Sequence, residues 1–214
     1  MRAGGGVPLL VATRNRGKAA ELQPALRALG YGVTDLGSLG IEPTPAEDAV
    51  EIYETFEQNA LAKARYYARV SGGLATVADD SGLAVDALDG EPGVRSRRWS
   101  GVEGPDEAVV AANNALLLER LATAPTRRAV FVCAIAFVAG RAEVVVRGEA
   151  PGRIAHAPRG SHGFGYDPLF EAQELDWRTF AEASAVEKER VSHRGRAISA
   201  LAAALDAARR GRAR

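Results

Sequence analysis

The 214-residue chain is poor in several things, and each shortage removes a class of protein. It has one cysteine, Cys133, which excludes an internal disulfide. Set in the apolar run Ala129 to Ala139, that thiol reads as buried and inert. It has no net charge, 27 Lys and Arg balancing 27 Asp and Glu, so no overall field draws it to nucleic acid or to a membrane surface. No apolar run approaches the roughly 18 residues needed to span a bilayer. Val7 to Ala12 is too short for the apolar region of a secretory signal. The expectation is a cytoplasmic protein with no nucleic-acid and no membrane partner. Charge collects only in the tail Arg209-Arg210-Gly211-Arg212-Ala213-Arg214, which follows a helical segment and reads as a frayed terminus, not a binding arm.

What is present is the composition of a folded domain. With 47% hydrophobic and 25% charged residues, the chain is long enough for a real core in one domain or two closely packed lobes. After a Gly-rich lead-in (residues 1–6), Val7 to Ala12 reads as a buried strand. Thr13-Arg14-Asn15-Arg16-Gly17-Lys18 follows as a polar loop, then a helix from about Lys18 to Ala28 with Leu22, Ala25, Leu26 and Leu29 on one face. Strand, Gly-containing loop and helix together aim backbone N–H groups at a phosphate. The Walker pattern fails, since it needs Gly at Ala12 and Ser or Thr at Ala19. Gly37 to Asp48 reads as a loop, and Thr55 to Ser71 as a helix carrying Asn59 and Lys63 on one face. Asp106 is expected to cap a helix reaching about Ala122. Ala129 to Ala139 and Ala142 to Glu149 read as an antiparallel hairpin turning at Gly140 and ended by Pro151. A helix from Ala197 to about Arg209 closes the chain. The alternation followed by a hairpin predicts an α/β fold with a mixed sheet.

The stretch Val77-Ala78-Asp79-Asp80-Ser81-Gly82-Leu83-Ala84-Val85 organises the rest. Two acids lie between two apolar runs of strand length, Leu74 to Ala78 and Leu83 to Ala87, and Ser-Gly permits a sharp turn. The expectation is a strand tip that keeps both carboxylates near water. Hard divalent cations choose such oxygens, and Mg²⁺ commonly takes one or two carboxylates with phosphates and water. A solvated strand-to-turn corner has the same composition.

Five separated segments, in order and over nearly the whole chain, resemble the inosine/xanthosine triphosphate pyrophosphatases (dITP/XTP diphosphatases). They are Ala12 to Lys18 with Glu21; Thr55-Phe56-Glu57-Gln58-Asn59-Ala60 with Lys63-Ala64; Ala78-Asp79-Asp80-Ser81-Gly82-Leu83; Gly163-Phe164-Gly165-Tyr166-Asp167-Pro168; and Glu187-Lys188 with Ser192-His193-Arg194-Gly195. Three positions depart from the family pattern: Gln58 stands for a Glu, Tyr53 for a Gly, and His162 for a Gly.

The resemblance implies an α/β fold with a mixed, elongated central sheet flanked by helices, in two lobes with the active-site cleft between them. It implies a single pyrophosphatase domain over 1–214, with a loose N-terminus (1–6) and a basic tail (210–214), and a homodimer. The implied reaction is Mg²⁺-dependent hydrolysis of non-standard purine nucleoside triphosphates (ITP, dITP, XTP) to the monophosphate and pyrophosphate, clearing them from the nucleotide pool. Asp80 would be general base and metal ligand, and Glu51 the second ligand. Thr13, Asn15 and Lys18 would hold the triphosphate, with Lys63 and Ser81 contributing nearby, and Arg14, Arg16 and Gly17 would also bind the substrate. Phe164 would stack on the purine, Asp167, Lys188, His193 and Arg194 would surround its edge, and Gly165 and Tyr166 would also bind the substrate. Arg only donates hydrogen bonds, so it favours the 6-oxygen of hypoxanthine or xanthine over the amino group of adenine. Two other readings stand beside this one: a related pyrophosphatase acting on pyrimidine or modified nucleotides, and a non-catalytic nucleotide- or RNA-binding module. Neutral charge and the intact acid pair oppose the last.

Overall fold

The computed structural model describes residues 6–47 and 49–212. The expected loose lead-in, Gly6 excepted, lies outside the described residues, as do residues 213–214 of the basic tail. The elements are β1 (Val7–Val11), α1 (Arg16–Ala28), β2 (Tyr31–Asp35), α2 (Phe56–Val70), β3 (Ala75–Val85), α3 (Asp106–Arg120), β4 (Arg128–Ala139), β5 (Ala142–Ile154), β6 (Phe170–Ala172), α4 (Ala185–Val191) and α5 (His193–Arg212). They build a mixed six-stranded sheet in the order β2-β1-β3-β4-β5-β6. β1 runs parallel to β2 and β3, and β6 antiparallel to β5. The α/β class with a mixed sheet is as the pattern predicts.

The chain divides into two compact units. The first comprises Met1–Asp80, Cys133–Gly148 and Ala197–Arg214. Its core gathers Leu9 and Val11 of β1, Leu22 and Leu26 of α1, Val77, Cys133, Ile135 and Leu201. Leu22 and Leu26 are four apart on one helical face, and burying each contributes about 1.5–3 kcal/mol. Asn15 caps the N-terminus of α1, its side chain accepting the Lys18 N–H at 3.0 Å. Thr55 does the same for α2, with Gln58 answering its hydroxyl at 3.0 Å. The second unit comprises Ser81–Val132 and Glu149–Arg196. Its core holds Leu83, Val85, Leu117, Phe131, Ile154, Phe170 and Phe180. No helix among the described residues is long and apolar enough to cross a membrane.

Four local expectations are overturned. β3 is one unbroken 11-residue strand, so Asp79-Asp80-Ser81-Gly82 forms no turn; the acids sit mid-strand, where other elements supply their partners. Pro151 lies inside β5, which continues to Ile154 and picks up β6 from Gly152 onward. Pro151 is exposed and stands one residue before the pairing with β6 begins, so it takes no part in that ladder. The cap of α3 is Pro105, and Asp106 is the first helical residue, where its charge still favours the positive helix end. The closing helix begins at His193, four residues early, because Ser192 caps α4 and α5 restarts at once. Three elements were unanticipated: β2, β6 and α4.

Candidate active site

Asp79 and Asp80 point to opposite faces of β3, as neighbours on a strand must. Both are buried, at 0% and 6% exposure, which removes the reading of a solvated corner. A buried carboxylate needs a partner, and each has one from outside the strand. Lys18 of α1 reaches Asp79 at 3.2 Å, and Cys133 lies 4.0 Å from the same oxygen. Asn59 of α2 donates to Asp80 at 3.1 Å. Lys63, one helical turn beyond Asn59, pairs with Glu51.

Charge is finely set here. Burial pushes the Asp80 carboxyl up to about 6, against the opposing pull of Lys18 and Lys63. It therefore stays ionised at neutral pH yet holds a proton more strongly than an exposed carboxylate, a poise suited to a general base. Burial also pushes Glu51 upward, but Lys63 and then Lys18 outweigh it and hold its carboxyl below the ordinary range. Glu51 in turn raises Asp80 as a like charge. Two carboxylates that feel each other, bordered by lysines, form an oxygen donor set of the kind Mg²⁺ takes together with substrate phosphate. Among the described residues no group of three or more His, Cys, Asp or Glu could hold a metal. A cation shared with substrate phosphates needs no such group.

The loop before α1 is held by its own polar groups. Thr13 Oγ accepts the Asn15 N–H at 3.2 Å, and Asn15 spends its side-chain oxygen on the helix cap. Arg14 turns to Glu47 in a two-pronged pair at 2.6 and 2.8 Å, with a third bond to the Ile41 carbonyl. That fork raises the pKa of Arg14 and lowers that of Glu47. Arg14 thus serves as a strut between this loop and the segment that leads to Glu51. Arg16 is exposed at the start of α1, and Gly17 and Lys18 are half-buried.

The second unit assembles the remaining motif residues around Phe164. Asp167 accepts the Phe164 N–H at 2.8 Å and the Lys188 ammonium at 2.7 Å. Lys188 Nζ lies 5.0 Å and the Arg194 guanidinium 5.6 Å from the Phe164 ring centre, within cation–π range. Arg194, 1% exposed, donates to Ser81 Oγ at 2.8 Å. His193 stacks on Phe131 at 4.6 Å with the rings 9° apart. Tyr166 is buried, and its hydroxyl donates to the Ser96 carbonyl at 2.8 Å; burial raises its pKa. Gly163 has φ +76°, and a Cβ there would stand 2.0 Å from the Asp167 carboxylate. Only glycine fits that turn.

The departures from the family pattern have local explanations. Asn59 holds Tyr53 through its backbone alone, accepting its N–H at 2.9 Å and donating to its carbonyl at 3.1 Å. Tyr53 does not adopt positive φ, so no glycine is required. Gln58 Oε1 accepts the Thr55 hydroxyl at 3.0 Å beside the helix cap. His162 also avoids positive φ, and its ring meets the Ala183 carbonyl at 3.2 Å. Sequence reasoning missed Glu47, Ser96 and Asn113, whose partners are remote backbone or side chains. It placed Asn59 on the face of Lys63 without giving it a task.

The Ham1 family model matches residues 9–204, a span that takes in all five motifs. A dITP/XTP pyrophosphatase of Mycolicibacterium paratuberculosis is 54% identical over 207 residues, covering 96% of this chain and 98% of the relative. One from Mycobacterium tuberculosis is 55% identical over 199 residues, covering 92% and 94%. Among solved structures, a HAM1 protein from Coxiella burnetii matches with a TM-score of 0.79 at 36% identity, over 94% of this chain and 98% of that one. With the matched span running from β1 into α5, the chain belongs to the Ham1 family.

Proposed function

We propose that this chain is a nucleoside triphosphate pyrophosphatase that hydrolyses ITP, dITP and XTP to the monophosphate and pyrophosphate, with Mg²⁺ as cofactor. The observation that carries the reading is Asp80: a buried carboxylate whose pKa is pushed up to about 6 by burial, within the fields of Lys18, Lys63 and Glu51. The names of the relatives support the substrate class.

In this reading Lys18, Lys63 and the N–H groups at the start of α1 neutralise and orient the triphosphate, and Thr13 and Ser81 add hydroxyl contacts. Asp80 and Glu51 would hold Mg²⁺, which supplies positive charge to the phosphates and acidifies a bound water. Asp80 accepts the proton of the attacking water, and Asn59 fixes the orientation of its carboxylate. Pyrophosphate leaves as a neutralised anion, so no strong general acid is needed. Positioning and charge stabilisation supply most of the rate, as is usual in phosphoryl chemistry. Phe164 offers a face to the purine, while Lys188 and Arg194 present only donors and so favour a 6-oxo base. A homodimer, inferred from the family likeness, is checked by light scattering at assay concentration. The reaction is tested by separating products: ITP with Mg²⁺ should yield inosine monophosphate and pyrophosphate in equal amounts, and orthophosphate as the first product would refute it.

A further inference from the structure

We propose that Asn114, on α3, is a positioning residue that sets the Phe164 platform and thereby the affinity for the base. The inference rests on the base-stacking role given to Phe164 above. Asn113 and Asn114 are consecutive, yet they serve different loops. Asn113 uses both ends of its amide: it accepts the Ser100 N–H at 2.8 Å and donates to the Arg97 carbonyl at 3.0 Å and the Ser96 carbonyl at 3.3 Å. Asn114 uses one end. Its Nδ2 donates to the Gly165 carbonyl at 3.2 Å, and its buried Oδ1 has no hydrogen-bond partner among the described residues.

That asymmetry is informative. Flipping the amide would set an oxygen against the Gly165 carbonyl, so the donor must face the loop. An unpaired buried acceptor is a standing cost to folding. An apolar side chain, as at Leu117 one turn along the same helix, would avoid that cost. What the amide provides in exchange is the bond to Gly165. Gly165 follows Phe164 and has φ +63°, in a loop held at its other end by Asp167, which binds the Phe164 N–H. Tyr166 is fixed next, through Ser96, whose carbonyl Asn113 also holds. Phe164 is therefore clasped on one side by Asp167 and on the other by Asn114 through Gly165. Its ring is kept beneath Lys188 and Arg194.

The test is steady-state kinetics on ITP with Mg²⁺ for wild type, Asn114→Leu and Asn114→Asp, with Phe164→Ala alongside and thermal melting of each. Losing one neutral hydrogen bond that orders the platform predicts a rise in KM of about three- to tenfold. The kcat should stay within about twofold, the signature of lost uniform binding. Asn114→Leu should melt at or above wild type, because the unpaired acceptor is gone. Should that variant not fold, Asn114→Asp, which keeps the shape and turns an oxygen toward Gly165, decides the matter by the same KM criterion. An unchanged KM in a folded Asn114 variant while Phe164→Ala raises it overturns the inference alone. An unchanged KM in both overturns the stacking role of Phe164, and this inference with it.

Discussion

Replacing Asp80 with Asn should make the protein more stable and nearly inactive, and the two effects have one cause. The carboxyl is raised from its ordinary 3.8 to about 6, first by burial. That is about two pKa units, and at about 1.4 kcal/mol per unit the ionised form costs the fold about 3 kcal/mol. Asn mimics the neutral acid and keeps an oxygen to accept from Asn59, so it removes this cost. At about 2–4 °C per kcal/mol for a chain of this size, Asp80→Asn should melt about 6–12 °C above wild type at pH 8 in a chelator. The sign follows from linkage. A carboxyl raised by folding binds more protons folded than unfolded, so its contribution to stability is full below 3.8 and is lost as pH rises through about 6. The advantage of the variant should therefore shrink to about half by pH 5 and nearly vanish by pH 4. Turnover should fall about 10²–10⁴-fold from loss of the base alone. Melts at pH 8 and pH 5, with and without the substitution, read out the difference. A variant that melts below wild type at pH 8, or a gap that does not change with pH, would refute the placement of an ionised Asp80 in a buried site.

Three further outcomes are expected. Arg194→Ala should lower kcat/KM for ITP and narrow the gap to ATP, because a donor that separates the bases is gone; unchanged ratios would remove Arg194 from base reading. Gly163→Ala forces a Cβ onto the Asp167 carboxylate at positive φ, and should cost about 1–3 kcal/mol in a melt and raise KM for ITP about tenfold or more, on the order of the hydrogen bonds displaced. Asn59→Ala removes a hydrogen bond that lowers the Asp80 pKa, so the acid limb of the kcat/KM profile should move toward neutral pH while kcat falls; an unmoved limb would contradict the role of Asn59.

The motif residues stand out in the sequence more clearly than the strands that carry them. Asp-Asp-Ser-Gly has turn composition, and what makes it the middle of β3 is tertiary: Lys18, Lys63 and Asn59 arrive from two helices to receive the charges. β2 is five residues with Gly32 in it, and its partner is β1 in parallel, so no local period marks it. Pro151 reads as a stop because its place, one residue before the β6 pairing begins, is visible only in three dimensions. The two-helix end of the chain reads as one helix because α4 spans only seven residues. The motif residues, by contrast, were legible by type and order; in the first unit the acids lie with lysines, and in the second an aromatic ring lies with Lys and Arg. What stayed hidden were the supports. Tyr166 reaches Ser96 across 70 positions, and Arg14 carries a carboxylate of its own chain, which no spacing rule announces.

In the proposed function the base pocket separates purines by the group at position six, and the α–β bridge is the bond cut. The most direct measurement is kcat/KM for pyrophosphate release from ITP, XTP, ATP and the pyrimidine triphosphates under one Mg²⁺ concentration. ITP and XTP should run far ahead of the others, with pyrophosphate as the product throughout. Equal values for ITP and ATP would contradict it.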